Sequence, residues 1–547
     1  MKKTMNKAAA LALAAALSAS VLLGGCGGKT ADTASAGGKS GSAAASPAGT
    51  FTDYSKGFPD PVTIKIPVYD RGFEGWNVSD NYYTRWIQKQ FGDKYNVKVQ
   101  YVSIGRTTEV QDFKQQIAAH TAPDIIFHYD MPQAVNYYSD GAIQDLDYDE
   151  IAYYAPDYWK NMKDTIQKYG VIDDHKAFLF AQRDPIYYNW VTLIRQDWLD
   201  KVGAKMPTNL SELDEVARKW KKAGLGTLGD SLITKSFTYE YPFLGASPDS
   251  KDLSLYLDLN IAPFPYKATQ EYLKAKNAEY NEGLIDPEFY LNTEDSLTKG
   301  KFISGKTGTY AFYISSSTDV ISSLLANDPN AKVAVLPATA GVPADSHAYY
   351  YQYPPYGMIM GINSDADEER RAAVYMFLNW MSQPDNLFYL QHGIQDKTYT
   401  LDSDGIASAV ADYQGEEKLS PNNNKDYWCL VQETVSYGDE AKDLKANKAQ
   451  LAPKGYEDLI QQSYDYNKQT EQYGIMSTIY TKAIVSSTEY ASDLGSLWQK
   501  AYVDCITCKP DELETKYKEY SQQYLDAGYQ DVLKEKQSLI DGGNYLQ

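Results

Sequence analysis

Between Val62 and Asp130 the hydrophobic period switches back and forth between two and about 3.6 residues, a pattern few folds accommodate. Val62-Thr63-Ile64-Lys65-Ile66 alternates apolar with polar residues and is rich in β-branched side chains, which predicts a strand. Asn81 to Phe91 follows as a helix with Tyr82, Trp86 and Ile87 on one face, and Val97, Val99, Tyr101 and Ile104 mark a second strand. Asp112 to Ala119 predicts another helix, which leads into the buried strand Pro123-Asp124-Ile125-Ile126-Phe127, ending at His128-Tyr129-Asp130. Such alternation predicts an α/β sheet covered on both faces by helices, with ligands taken at the carboxyl ends of the strands. That position singles out Tyr69, Asp70 and Arg71 with Trp76 after the first strand, and Tyr129 and Asp130 after the third.

Further along, Phe178 to Ile194 reads as extended and Leu193 to Leu199 turns into a short helix that stops near Gly203. Asn209 or Thr208, with Glu212 downstream, is a capping pattern for a helix through Trp220. Ala331 to Leu336 and Tyr356 to Ile362 predict strands, and Glu368 to Met381 a strongly periodic helix. From Tyr473 onward the chain reads as helical with charged faces, wrapping back onto the body.

The amino terminus carries Lys2, Lys3 and Lys7, then a 16-residue apolar run from Ala8 to Leu23, short of the ~20 residues a membrane-spanning helix needs. This reads as a secretory signal, and its end, Leu23-Gly24-Gly25-Cys26, resembles the bacterial lipoprotein signal. That resemblance implies cleavage before Cys26 and lipidation of its thiol, with acyl chains that tether rather than insert the protein. Gly27 to Thr50 is almost entirely Gly, Ala, Ser and Thr, a flexible tether of ~25 to 30 Å root-mean-square reach. Three cysteines remain, Cys429, Cys505 and Cys508; the last two form a short-loop disulfide or a pair of free thiols.

Acidic residues number 72 against 52 basic ones, a net charge of -20, so phosphate backbones are repelled and nucleic acid is not expected as a partner. Tyrosine is the outlier, with 48 against 16 Phe, and rings that carry a hydroxyl suit a polar, ring-shaped ligand.

Several segments resemble one family in order. Ile117-Ala118-Ala119 to Pro123-Asp124-Ile125-Ile126, Leu193 to Leu213 with its Arg195-Gln196-Asp197-Trp198-Leu199 core, and Phe302-Ile303-Ser304-Gly305-Lys306-Thr307-Gly308 are similar to motifs of the extracellular solute-binding proteins, family 1. So are Gly361-Ile362-Asn363 before the helix ending Leu378-Asn379-Trp380-Met381, and His392-Gly393-Ile394 to Tyr399, although Asp396-Lys397 stands where the family has Gly-Lys. With the lipoprotein start, the match is to the long Gram-positive branch that serves carbohydrate ABC importers. The resemblance implies a two-lobed periplasmic-binding-protein-like fold of type II, with a cleft that closes by hinge motion. The implied division is a signal peptide at 1–25, the tether at 26–50, one lobe from 51–185 and 355–440, and the other from 186–354 and 441–547. Crossovers fall near Arg183 to Trp190, Tyr353 to Met358 and Tyr427 to Tyr473. It further implies an oligosaccharide ligand, ABC permease subunits as partners, no cofactor, and a monomer lipid-anchored on the outer face of the cell membrane.

Sugar binding needs rings to stack on a pyranose and planar polar groups to pair with its hydroxyls. Trp76 is the candidate platform and Asp70 with Arg71 the hydroxyl clamp; the alternative is a surface salt bridge beside a core Trp. Asp130 is either a ligand contact or the cap of the segment after Met131-Pro132. Tyr188, Asn189 and Trp190 sit in the first crossover, and Tyr353 and Tyr356 flank Pro354-Pro355 in the second. Arg195, alternatively paired to Asp197, and Tyr313 and Trp428 complete the set. No nucleophile elbow, zinc-protease or Walker motif occurs, which favours a binding protein over an enzyme. A secreted glycoside hydrolase or lyase needs only two carboxylates and stays open, as does a peptide-binding lipoprotein. Asp402-Ser403-Asp404-Gly405 has part of a calcium-loop spacing but lacks its closing acid, so a solvated turn is expected.

Overall fold

A computed structural model describes residues 51–72, 75–183, 190–230, 254–256, 261–347, 350–410, 413–417 and 424–546. The expected signal, tether and Cys26, and the candidates Tyr188 and Asn189, lie outside them. So does the side chain of Trp190.

The first strand, β1 (Val62–Asp70), pairs in parallel with β2 (Val97–Gly105), in register from Val62 opposite Val97 to Asp70 opposite Gly105. Beside β1 runs β3 (Ile125–His128), tied to it through Asp124, whose carboxylate accepts from Lys65 N at 2.7 Å and whose own N–H donates to Lys65 O. Two further strands of this sheet are β4 (Leu179–Gln182) and, much later in the chain, β8 (Tyr356–Ile362). β8 lies between β3 and β4 and is antiparallel to both. Every residue of β8 is buried, as expected of a central strand with both faces covered. The helix Glu368–Met381 packs against β1 and starts on Asp367, whose carboxylate accepts from Arg370 N at 2.9 Å.

A second sheet orders β6 (Thr309–Tyr313), β5 (Trp190–Arg195) and β7 (Val333–Leu336), with β5 central and antiparallel to both neighbours. Two hydrophobic clusters cover it. One combines Trp198, Trp220 and Phe264 with Trp498, Tyr502 and Tyr524 from the carboxyl-terminal helices; the other joins Leu193, Phe312 and Val335 to Leu459 and Ile460. Gly308 lies directly under the first cluster. A Cβ there would stand 2.5 Å from Trp220 Cζ3 and 2.8 Å from Trp198 Cε3.

Three sequence expectations need adjustment. The helix predicted for Asn81 to Phe91 is α-helical only over Tyr82–Ile87 and widens to a π turn over Gln88–Gly92. There the Gln88 side chain donates to Val97 O at 3.0 Å and accepts from Val99 N at 2.9 Å, a reach that hydropathy does not report. The carboxyl-terminal region is helical over Val485–Thr507, Leu513–Tyr524 and Gln530–Asp541, but short strands at Gly474–Ile475 and Ile479–Tyr480 precede them. Tyrosine serves the cores as much as any ligand: among the described residues, nine of the twelve largest fully buried side chains are tyrosines.

Candidate functional site

The registers place strand ends together. Ile359 stands opposite His128 and Tyr356 opposite Gln182, so the last residues of β3 and β4 and the first of β8 share one edge, and Tyr69 near the end of β1 packs there, 4.8 Å from Phe127 and 6.3 Å from Tyr129. In the second sheet, Trp190 opposes Tyr313 and Thr192 opposes Leu336, so the start of β5 and the ends of β6 and β7 share one edge. The chain passes between the sheets from these edges, after Gln182 and before Tyr356. Both edges therefore flank a single cleft.

The segment Lys425–Glu433 lies along the first edge. Gln182 N donates to Val431 O, and Glu433 N donates to Gln182 O at 2.7 Å. This brings Asp426 to Arg71 across 355 positions of sequence, with Nε and Nη2 donating to the two carboxylate oxygens at 2.8 Å each. The pair is bidentate, with Arg71 22% and Asp426 4% exposed. Burial raises the Asp426 carboxyl above its usual range against the pull of Arg71. Asp70 turns the other way, accepting from Gly72 N at 2.8 Å and from the Ser103 hydroxyl at 3.4 Å. The expected Asp70–Arg71 clamp is thus two separate groups.

Tyr69 is buried, with Arg106 4.9 Å and Arg71 5.6 Å from its ring centroid, and its hydroxyl donates to Glu109 Oε1 at 2.7 Å. It supports the site from beneath rather than facing a ligand. Tyr129 stacks on it at 6.3 Å and carries Arg106 at 5.5 Å from its centroid. Burial raises the Glu109 carboxyl above its usual range, despite His128, Tyr69 and Arg106 around it. Asp130 occupies the cap position of the helix Met131–Ser139 without making a side-chain cap bond; its carboxylate, 42% exposed, stands 4.0 Å from His128 Nδ1.

A second charged group adjoins the first. Glu433 Oε1 accepts from Lys425 Nζ at 2.6 Å and lies 3.8 Å from Arg183 Nη2, and Arg183 sits 4.6 Å from the Tyr353 ring centroid. Burial raises the Tyr313 hydroxyl, at the end of β6, above its usual range, with Glu433 adding to the rise and Lys425 and Arg183 opposing it. Gly357 makes room for Glu433, since a Cβ would stand 2.6 Å from Glu433 Cβ. Trp76 is half-buried at the rim, 6.3 Å from Tyr83 and edge-on to Tyr427 at 6.5 Å. At the end of β7 a cavity of about 220 Å³ is lined by Ala338, Thr339, His347, Tyr466, Gln469 and Tyr473 among others.

The structure does not bring every candidate to this cleft. Arg195 ends β5 at the opposite edge of its sheet, where Asp197 accepts from it at 2.8 and 2.6 Å and Asp328 at 2.8 Å. Tyr356 is a core ring, 4.4 Å from Phe180 and 5.3 Å from Tyr169. Trp428 is 4% exposed, a buried ring of the segment Lys425–Glu433 itself. Residues absent from the candidate set are Arg106, Glu109, Tyr129, Arg183, Lys425, Asp426 and Glu433. Tyr129 was marked by its strand end, and Arg183 by the crossover. Nothing local announces Asp426 or Glu433, because their partners are hundreds of residues away.

Among the described residues no group of His, Cys, Asp and Glu could hold a metal ion. Asp402 and Asp404 instead hold Lys445, at 2.7 Å for Asp402, and that contact draws the Asp402 carboxyl down to about 2. Cys505 and Cys508 are buried free thiols, with Cys508 Sγ donating to Cys505 O at 3.2 Å.

A family model for the bacterial extracellular solute-binding protein matches residues 76–387. The chain belongs to that family. Solved structures give this solute-binding protein the two-lobed periplasmic-binding-protein-like fold. The alginate-binding protein AlgQ2 without calcium ion is 17% identical, with a TM-score of 0.62 over 90% of this chain and 100% of that one. An HMO binding, ABC-transporter associated solute-binding protein from Bifidobacterium longum infantis is 16% identical, with a TM-score of 0.61 over 89% and 100%. The substrate-binding protein FusA of S. pneumoniae in complex with kestose is 16% identical, with a TM-score of 0.59 over 88% and 99%. A Niallia circulans sequence described as an uncharacterized protein in the butB 5' region is 41% identical over 69 residues, which is 12% of this chain and about a quarter (26%) of that relative's length.

Proposed function

We propose that this solute-binding protein is a non-catalytic, lipid-anchored receptor that captures an oligosaccharide outside the cell and delivers it to the permease of an ABC importer. The observation that carries the reading is that strand ends of both sheets lie beside the crossover segments, with Asp70, Arg71 and Asp130 at the ends of β1 and β3, Arg183 4.6 Å from the Tyr353 ring centroid, and Tyr313 at the end of β6. Planar charged groups held by their own partners are pre-oriented for sugar hydroxyls, and half-buried rings supply the apolar faces that pyranoses stack on. The names of the structural relatives, which refer to alginate, HMO and kestose, support a carbohydrate as cargo. The lipoprotein-type start at Leu23 to Cys26 supports the anchor.

The lobes in this reading are residues 51–185 with 355–440 and residues 186–354 with 441–547, closing on the sugar. A ligand that bridges both lobes shifts the population toward the closed form by its differential affinity for that form, and the permease recognises that form. Titration calorimetry of Trp76→Ala tests the platform. Loss of a stacking ring is expected to weaken sugar binding about tenfold or more; unchanged affinity removes Trp76 from the site.

A further inference from the structure

Four cations line the described part of the cleft, and each is already held by a carboxylate. Asp426 takes Arg71 through both oxygens at 2.8 Å; Glu109 stands 3.3 Å from Arg106 Nη1; Glu433 Oε1 takes Lys425 at 2.6 Å and lies 3.8 Å from Arg183. Asp70 and Asp130 add two more carboxylates at the same edge. Asp70 accepts only from Gly72 N and Ser103 among the described residues, and Asp130 is 42% exposed. The described lining therefore carries more negative than positive groups, and its positive groups are committed.

Such a lining treats two kinds of sugar differently. A uronate brings its own carboxylate into a partly buried crevice where, among the described residues, every cation already has a carboxylate partner and further carboxylates stand beside it, so desolvation and like-charge repulsion oppose entry. A neutral sugar brings hydroxyls, which donate and accept at once. They can donate to Asp70 and Asp130, and they can accept from Arg71, which spends Nε and Nη2 on Asp426 and presents Nη1. Holding the guanidinium by a buried carboxylate fixes its plane before the ligand arrives, which lowers the ordering cost of binding.

We infer that the cleft selects uncharged oligosaccharides and discriminates against uronate-containing ones, with the Arg71–Asp426 pair and the open carboxylates of Asp70 and Asp130 setting that choice. This rests on the sugar-receptor reading above.

The test is calorimetric titration of the chain from Gly27 onward with two sets of tetrasaccharides of matched length. The neutral set is gluco-, manno-, xylo- and fructo-oligosaccharides, and the acidic set is oligogalacturonate and oligoguluronate. At least one neutral member is expected to bind, with the acidic set about 100-fold weaker or undetectable. The Kd of the neutral ligand is expected to change less than about twofold between about 20 and about 300 mM salt, because no net charge pair forms. Asp426→Asn frees Arg71 and should narrow the gap by about tenfold. Because Asp426 is buried, the exposed Asp130→Asn is run beside it and should narrow the gap in the same direction without loss of folding. A uronate that binds the wild type more tightly than every neutral sugar overturns the inference and leaves the receptor reading intact. Binding of a peptide library, with no sugar of either set bound, overturns both.

Discussion

Asp214 shows how one half-buried side chain makes stability depend on pH. Its Oδ2 is 4.0 Å from Arg218, while Oδ1 is buried with no hydrogen-bond partner among the described residues. Burial first, and Glu279 and Glu282 second, push its carboxyl up to about 7 against the pull of Arg218 and Lys276. In the unfolded chain the same group titrates near about 3.9. Between those values the folded state binds the extra proton, so this group makes stability fall as pH rises from about 4 to about 7 and stay level above. Asp214→Asn is expected to flatten that fall in a melting-temperature profile; a variant profile parallel to the wild type would show that Asp214 titrates normally. At the same scale the sequence marked Asp70, Arg71 and Trp76 by their place after a strand, yet not that Arg71 is held by Asp426. Pairing across 355 residues leaves no local signature.

Elements were the most legible level. The helix Glu368–Met381 was read with its observed ends, because Asp367 caps it and its apolar residues repeat at helical spacing. Of the two caps expected before the helix Leu210–Lys222, Thr208 and Asn209, it is Asn209 that caps, accepting from Glu212 N at 3.0 Å. The π turn at Gln88–Gly92 was not read, since its cause is a side-chain amide pairing with the neighbouring strand. The family-like stretch from Phe302 to Gly308 has a packing explanation: Gly308 is the floor on which Trp198 and Trp220 meet edge to face at 5.3 Å. Gly308→Ala is expected to destabilise the second lobe by about 1 to 3 kcal/mol, because the added methyl has only rigid indole rings to displace. A urea midpoint shifted down with unchanged slope is the expected readout; an unchanged midpoint would mean the rings yield freely.

For the whole molecule, β-α alternation foretold the α/β class, and the resemblance foretold the two-lobed fold. Composition misled in part, because a chain with 48 tyrosines puts many of them into its cores. Three passages of chain meet beside the first sheet, at Gln182–Arg183, Tyr353–Tyr356 and Lys425–Glu433, and the sequence reading put a crossover near each, although it did not mark Asp426 or Glu433 in the third. In the proposed reading the lobes close around the ligand, so small-angle scattering should show a smaller radius of gyration with bound sugar than without it. The central claim is capture without chemistry. It is tested most directly by a thermal-shift titration of the chain from Gly27 onward with oligosaccharides, followed by mass analysis of the sugar recovered from the same sample. The account predicts a melting temperature that rises with sugar concentration and a sugar recovered intact and stoichiometric; a sugar cleaved or eliminated during the assay would contradict it and make the protein an enzyme.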